Sequence, residues 1–233
     1  MEIDGRRFIV AGATGAVGGA LARELAARGA EVGLLGRDRT RLDAVAEELG
    51  GVPTATFDAR DATSCALAVD AVAAAMQGVD GVVVAIGAVA FGAGADTPDE
   101  VTAELIAVNA TGPIALLRAG AAHLEPGGCL AAVTAMVADY PTAGMASYSA
   151  SKAALSAYLV ALRRELRRGR IAVIDARLPH LDTTFADHAL AGEPPAMPTA
   201  HSSVEVVRVL VDAIEAGRRE LSWDLKAAEL RVA

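Results

Sequence analysis

Cysteines, aromatic residues and positive charges are all scarce in this sequence of 233 residues. Its two cysteines, Cys65 and Cys129, lie far apart without CxxC spacing, which argues against a disulfide framework and a zinc site. We expect both to be small buried residues in a reducing compartment, and no other spacing predicts a metal site. Aromatic residues make up 3% of the chain, so the core must consist of alanine, valine, leucine and isoleucine.

The shortage of positive charge gives a formal net charge of −8 and a pI near 5.0. Because an acidic protein repels nucleic acids and anionic lipid surfaces, we expect neither as a partner. Long apolar runs are also missing. The longest uncharged stretch, residues 81–95, is too short and too rich in glycine to span a bilayer. Residues 1–7 do not resemble a signal peptide, and we therefore expect a cytoplasmic protein.

Short apolar strands alternate with helical patterns along the whole chain. The pattern predicts strands at 7–12, 31–36, 53–58, 80–87, 128–135, 170–178 and 220–225. It predicts helices at 16–30, 38–50, 61–76, about 98–123, 146–168 and 203–217. This alternation indicates one α/β domain over residues 1–233, a doubly wound parallel sheet of the Rossmann type with helices on both faces.

One segment interrupts the alternation. Residues 178–203 contain four prolines and mixed polarity, which is typical of a lid or binding loop. Its apolar and imidazole side chains, Phe185, Met197, His180 and His188, indicate a partly apolar pocket.

Glycines cluster in the first turn from strand to helix, "AGATGAVGGA" (11–20). We call residues 12–18 the glycine turn. Gly12, Gly15 and Gly18 would let the backbone approach a pyrophosphate, and the following helix would offer free N–H groups to it. The context of a first strand followed by a helix predicts a dinucleotide site, although a glycine-rich turn without a ligand is the alternative.

The ends of the second and third strands predict the adenosine contacts. Gly36 is followed by Arg37, whose guanidinium can pair with a 2′-phosphate, and this favours NADP(H) over NAD(H). Asp38 is expected to cap the next helix, and Arg41 is expected to be a solvated residue at the start of that helix. Asp58 is placed to meet the adenine amino group, or it caps the helix that begins near residue 61.

Four motifs together resemble the short-chain dehydrogenase/reductase family over essentially the whole chain. They are "GATGAVG" (12–18), Asp58, "VNATG" (108–112) and "YSASK" (148–152). The resemblance implies that Tyr148 is the acid/base, that Lys152 supports it and binds the nicotinamide ribose, and that Asn109 anchors a water linked to Lys152. An i, i+4 spacing puts Tyr148 and Lys152 on one helical face, where an ammonium would lower the pKa of the phenol. Further cofactor contacts are implied at Thr14, Ala16, Val17, Ala59, Ala85, Gly87, Pro179 and Thr183.

The sequence departs from the family pattern in four places. Ala16 stands where the middle glycine is usual, "VAIG" (84–87) replaces Asn-Asn-Ala-Gly, and "PH" (179–180) replaces Pro-Gly. The usual serine, thirteen residues before the tyrosine, is Ala135. Its neighbour Thr134 can substitute only if the strand has ended or bulged, because adjacent strand residues face opposite ways. A water, a substrate hydroxyl, Tyr140 or Thr142 are the other candidate donors.

Two functions follow from these motifs. The first is an NADP(H)-dependent oxidoreductase that interconverts a small-molecule carbonyl and an alcohol. The second, favoured by Ala135, is a non-catalytic NADP(H)-binding sensor or partner-binding subunit. The alanine-rich helices at 98–123 and 146–168 correspond to those through which the family assembles, so we expect a homodimer or homotetramer.

Overall fold

A computed structural model describes residues 1–233. The strands are β1 Arg7–Ala11, β2 Glu31–Gly36, β3 Thr54–Thr56, β4 Val79–Val84, β5 Leu124–Val133, β6 Ala172–Arg177, β7 Glu220–Asp224 and β8 Glu229–Val232. The helices are α1 Ala16–Ala27, α2 Arg39–Glu48, α3 Ala62–Ala75, α4 Asp99–Ile106, α5 Gly112–Ala121, α6 Ala146–Leu166 and α7 Ser203–Glu215. The predicted α/β architecture is confirmed.

The eight strands form one sheet in the order β3-β2-β1-β4-β5-β6-β7-β8. Every pair is parallel except β7 and β8, which form an antiparallel hairpin at the edge. The chain reverses its direction of winding between β1 and β4. A crevice therefore opens at the carboxyl ends of these two strands, where doubly wound sheets bind ligands.

Two apolar layers cover the sheet and form its core. One includes Leu21 of α1, Leu42 of α2 and Leu210 of α7, and the other includes Val69 of α3 and Leu159 of α6. Aliphatic side chains fill most of both layers, as the shortage of aromatic residues predicts. Cys65 and Cys129 are both buried free thiols.

The predicted helix at 98–123 is interrupted. Residues 107–111 form a single π-helical segment, with Asn109 at its centre, between α4 and α5. The whole stretch Asp99–Ala121 is long and apolar enough to cross a membrane by length and composition alone. Buried helices of soluble cores meet the same criterion, and Leu116 and Leu117 of α5 are completely buried in this core.

Candidate active site

The glycine turn requires glycine at two of its positions. Gly12 has a φ of +90°, and a Cβ there would lie 2.6 Å from the carbonyl oxygen of Ala85. A Cβ on Gly18 would collide with the carbonyl oxygen of Gly12. Gly15 is the N-cap of α1, and no side chain caps that helix. The turn therefore presents close-packed backbone and an uncapped helix start, a combination suited to a pyrophosphate.

The three arginines after β2 differ in what they contact. Arg39 pairs with Asp43 at 2.9 Å, and Arg41 donates to the carbonyl oxygen of Thr14 at 2.8 Å. Arg37 is exposed and makes neither an ion pair nor a side-chain hydrogen bond, and its charge contributes to lowering the pKa of Asp58. Asp38 caps α2 by accepting from the N–H of Arg41, as predicted.

Asp58 lies at the surface beyond β3. Its carboxylate accepts from the backbone N–H and the Nε of Arg60, both at 3.0 Å, and these bonds hold its pKa below the ordinary value. Asp61, and not Asp58, caps α3. The alternative role considered for Asp58 is therefore wrong. Arg60, which the sequence analysis did not single out, would compete with an adenine amino group for this carboxylate.

Tyr148 and Lys152 lie on the buried face of α6. The hydroxyl of Tyr148 makes no hydrogen bond within the chain, and burial raises the pKa of this phenol above its ordinary value. Lys152 donates from Nζ to the carbonyl oxygen of Val133 at 3.2 Å. Burial lowers the pKa of Lys152 to about 8, an effect that the charge of Asp175 partly offsets. The expected lowering of the Tyr148 pKa is thus not seen in the protein without cofactor, because desolvation dominates.

Asn109 is completely buried and braces the site. Its Oδ1 accepts from the N–H of Ala88 and its Nδ2 donates to the carbonyl oxygen of Ala88, both at 2.8 Å. Nδ2 also donates to Oγ of Ser151, which in turn donates to the carbonyl oxygen of Tyr148. These bonds tie the loop after β4 to α6. The water predicted beside Asn109 stays a prediction.

Thr134 does not fit the catalytic role predicted for it. Its hydroxyl donates to Oδ1 of Asp175 at 2.5 Å in a buried contact. β5 ends at Val133, one residue before Thr134, but the backbone stays extended at Ala135, with φ −154° and ψ 156°, so no bulge turns Thr134 toward Tyr148. Both residues line the cavity beside Tyr148, but Ala135 has no hydroxyl and the hydroxyl of Thr134 is already donated to Asp175.

The other proposed donors also differ in their placement. Tyr140 is 43% exposed and does not line the cavity that Tyr148 lines. Thr142 lines that cavity, but its hydroxyl donates to the carbonyl oxygen of Tyr140 at 3.0 Å. His180 lines the cavity and its imidazole makes no hydrogen bond. His180 belongs to the predicted lid, and no pattern in the sequence marks it as a donor.

One cavity of about 450 Å³ joins the glycine turn to the tyrosine. Of the residues predicted to bind cofactor, it is lined by Gly15, Ala16, Val17, Ala85, Gly87, Tyr148, Lys152, Pro179 and Thr183. The remaining ones, which do not line it, are Gly12, Thr14, Gly18, Arg37, Asp58 and Ala59. Most of the lining side chains are hydrophobic, so the cavity suits a largely apolar ligand, with polar side chains at Thr134, Thr142, Tyr148, Lys152, His180 and Thr183.

The segment 178–203 covers this cavity. Leu190 donates its N–H to the carbonyl oxygen of Val89 at 2.8 Å, and Phe91 donates to that of Ala191 at 2.9 Å. The ring of Phe185 lies with its centroid 6.4 Å from that of Tyr148. Met197 also lines the cavity. The segment is thus held against the loop after β4 by backbone hydrogen bonds.

Comparisons with known proteins give a family match and two relatives. A family model described as short chain dehydrogenase matches residues 6–193. Nodulation protein G of Rhizobium meliloti is 53% identical over 49 residues, which cover 21% of this chain and 20% of that protein. A short chain dehydrogenase of Pseudocercospora fijiensis is 28% identical over 174 residues, covering 71% of this chain and 56% of that protein. The chain thus matches less than two thirds of the length of either relative.

Solved structures match over nearly the whole chain. A short chain dehydrogenase from Burkholderia cenocepacia in complex with NADP is 27% identical, with 92% of each chain covered and a TM-score of 0.81. A short chain dehydrogenase/reductase from Burkholderia phymatum in complex with NAD has a TM-score of 0.84 over 94% of this chain and 89% of its own. The latter is 19% identical, and its likeness is one of fold.

Proposed function

Because this chain belongs to the short-chain dehydrogenase family, we propose that it is an NADP(H)-dependent oxidoreductase that interconverts a carbonyl and an alcohol. One observation carries the proposal: a single cavity is lined by Gly15 and Ala16 of the glycine turn and by Tyr148 and Lys152. Backbone suited to a pyrophosphate and a side chain suited to proton transfer therefore face the same space.

The residues present fit a nicotinamide dinucleotide. Gly12 and Gly18 leave the glycine turn without side chains where a Cβ would meet backbone, and the start of α1 is uncapped. These groups would hold the pyrophosphate, and Lys152 would bind the nicotinamide ribose. When bound, the cofactor supplies the hydride.

Tyr148 would supply the proton to the carbonyl oxygen. A phenol holds its proton at neutral pH, and because burial raises the pKa of Tyr148 further, proton transfer from it needs a cation that stabilises the phenolate. Lys152, one helical turn away, would stabilise the phenolate that remains after transfer. Its pKa of about 8 leaves most of the lysine charged at neutral pH.

The preference for NADP(H) rests on Arg37, the one arginine after β2 that has no partner. The Burkholderia cenocepacia relative was solved with NADP and the Burkholderia phymatum relative with NAD, so a nicotinamide cofactor agrees with both. Losing a charge-assisted contact to a 2′-phosphate costs about 1.5–3 kcal/mol. We expect Arg37→Ala to weaken NADPH binding by about 10- to 150-fold and NADH binding little.

Fluorescence titration with both nucleotides measures this difference, and Arg39→Ala is the matched control because Arg39 already pairs with Asp43. Equal losses of NADPH and NADH affinity in Arg37→Ala would contradict the proposal that Arg37 binds the 2′-phosphate.

The substrate is proposed to be a carbonyl compound with hydrocarbon flanks. Val89, Phe91, Val137 and Met145 line the cavity around Tyr148 and offer it no polar partner. With alanine at position 135, the substrate oxygen would receive one protein donor, Tyr148, unless His180 provides a second.

A non-catalytic NADP(H)-binding protein is the second candidate function. The observation that favours it is the absence of a hydroxyl at Ala135 together with the engagement of Thr134 by Asp175. Loss of one donor to a developing oxyanion costs about 2.7–4 kcal/mol of barrier. Such a protein would bind NADPH and pass a signal to a partner without turnover.

NADPH oxidation across a panel of aldehydes, ketones, quinones and diketones separates these two functions. The oxidoreductase is expected to turn over at least one apolar carbonyl compound, and Tyr148→Phe is expected to abolish turnover while retaining NADPH binding. Tight binding of NADPH without turnover of any panel member would support the second function instead.

We also propose a homo-oligomer. The outer face of α6 presents an exposed stripe of alanines that permits close helix approach, namely Ala146, Ala150, Ala154, Ala157 and Ala161. Sedimentation at micromolar concentration is expected to give a dimer or a tetramer, and a monomer alone would contradict this assignment.

A further inference from the structure

The buried face of α6 continues beyond the tyrosine and lysine. Ser156 follows Lys152 by four residues, as Lys152 follows Tyr148, and all three are buried. The hydroxyl of Ser156 donates to Oδ2 of Asp175, on β6, at 2.5 Å. One helical face thus links the candidate acid/base to a buried carboxylate that no family motif in the sequence pointed to.

Asp175 is completely buried and well bonded. Thr134 donates to one of its carboxylate oxygens and Ser156 to the other, each at 2.5 Å. A buried carboxylate is costly unless a cation accompanies it. Two hydroxyl donors satisfy its oxygens but do not neutralise its charge.

Three cations lie near this carboxylate, Arg177, Lys152 and Arg163, and Arg163 donates its Nε to the carbonyl oxygen of Val173. Arg177 places Nη1 3.5 Å from Oδ2 of Asp175, but it also pairs with Asp139 and with Glu220. Two carboxylates at the more exposed side therefore share the charge of Arg177. Lys152 has no carboxylate in contact, since its acceptor is the carbonyl oxygen of Val133.

The backbone joins Lys152 to Asp175. Val133 accepts from Lys152, and the next residue, Thr134, donates to Asp175. The negative charge of Asp175 opposes the desolvation that lowers the pKa of Lys152 to about 8. Without it the ammonium would be lost at a still lower pH.

We propose that Asp175 is a positioning residue that keeps Lys152 charged beneath Tyr148, with Thr134 and Ser156 holding the carboxylate in place. The role of Lys152 in this inference rests on the proposed function. Other titratable and charged groups lie around Lys152 and Asp175. They are Tyr148 and Arg163 of α6, Arg177 of β6, Asp139, Arg219 and Glu220.

The composition of the chain makes the test direct. The sequence contains two lysines, Lys152 and Lys226, and Lys226 is exposed in the turn between β7 and β8. Labelling lysine with ¹³C at Cε therefore gives two NMR signals, and Lys226→Arg leaves the signal of Lys152 alone. The titration midpoint of Lys152 is then measured without cofactor or substrate.

We expect Asp175→Asn to lower this midpoint by about one pH unit or more. Thr134→Val and Ser156→Ala are matched controls that each remove one hydrogen bond and keep the carboxylate, so the midpoint should fall less. An unchanged midpoint in Asp175→Asn, or an equal fall in either control, would overturn the proposal.

Arg177→Gln gives a second test of opposite sign that does not depend on the folding of Asp175→Asn. Removing the guanidinium that shares Asp175 is expected to raise the midpoint of Lys152, and a lower or unchanged midpoint would overturn the proposal. The pH dependence of NADPH affinity should shift with the midpoint in each variant. Absence of turnover in the wild type would refute the proposed function alone, because the lysine titration needs no turnover.

Discussion

Replacing Lys152 with methionine keeps an unbranched side chain and removes a buried ammonium group. In the unfolded chain this lysine titrates near 10.5, whereas burial lowers its pKa to about 8 in the folded protein. Between these values the unfolded state holds a proton that the folded state has released. The free energy of unfolding therefore gains a contribution that rises with pH across this window.

The size of this contribution follows from the two pKa values. Below pH 8 the buried ammonium destabilises the fold by on the order of 3 kcal/mol, and this penalty is lost as the pH rises toward 10.5. From pH 7 to 9.5 the change is about 2 kcal/mol. The free energy of unfolding of Lys152→Met should thus exceed that of the wild type most strongly at pH 7. We call this difference the stability gap, and it should shrink by about 2 kcal/mol between pH 7 and 9.5.

Urea unfolding of both proteins at several pH values between 7 and 9.5 measures the gap. The comparison must be a difference, because burial raises the pKa of Cys65 to about 11 and that of Cys129 to about 12. Those thiols make both proteins less stable as the pH rises, and their effect cancels between wild type and variant.

Lys226→Met is the control for Lys152→Met, since Lys226 is an exposed lysine and its replacement should leave the pH dependence unchanged. A difference in the free energy of unfolding between wild type and Lys152→Met that stays constant from pH 7 to 9.5 would contradict the lowered pKa of Lys152. It would mean that the ammonium is hydrated in the folded protein.

Two further variants probe the cavity and the glycine turn. Ala135→Ser returns a hydroxyl to the position facing the cavity, and kcat for reduction of a carbonyl substrate is expected to rise by about a hundredfold; an unchanged kcat would mean that another donor already acts there. Gly18→Ala should abolish NADPH binding measured by calorimetry, because its Cβ would meet the carbonyl oxygen of Gly12. Gly15→Ala, whose Cβ would lie 3.4 Å from that oxygen, should bind nearly normally, and equal behaviour of the two variants would contradict this account of the turn.

Much of the fold could be predicted because its strands are continuous apolar runs. The strand from Arg7, the one from Glu31 and the one from Ala172 lie close to their predicted bounds. β8 was missed, since "ELRV" (229–232) is short and half charged and is held as a strand by its pairing with β7. The π-helical segment was also missed, because it interrupts a continuous helical pattern; Asn109 at its centre bonds to the loop after β4.

The candidate site could likewise be predicted only in part. Local spacing was enough to put Tyr148 and Lys152 on one face of a helix and glycines in one turn. Asp175 was missed because "AVIDARL" (172–178) resembles a strand that ends at a polar surface. Its burial depends on contacts with Ser156 and Thr134, which are distant in sequence. The position of Ser156, four residues after Lys152, was a signal that could have been used.

The direction of the Tyr148 pKa also could not be predicted from spacing. An i, i+4 lysine favours the phenolate only if the attraction exceeds the cost of desolvating the phenol. In the folded protein the phenol is buried without a hydrogen bond, and desolvation prevails. The sequence reports which groups are neighbours but not how much water they retain.

In the proposed reaction, Tyr148 protonates a carbonyl while hydride arrives from NADPH. The most direct measurement uses NADPH deuterated at the transferable C4 position, a stoichiometric amount of protein and the best apolar ketone of the panel, with mass spectrometry of the alcohol formed. We expect deuterium on the carbinol carbon of the alcohol formed by the wild type, and no product with Tyr148→Phe. Deuterated alcohol formed equally by Tyr148→Phe, or none formed by the wild type, would contradict it.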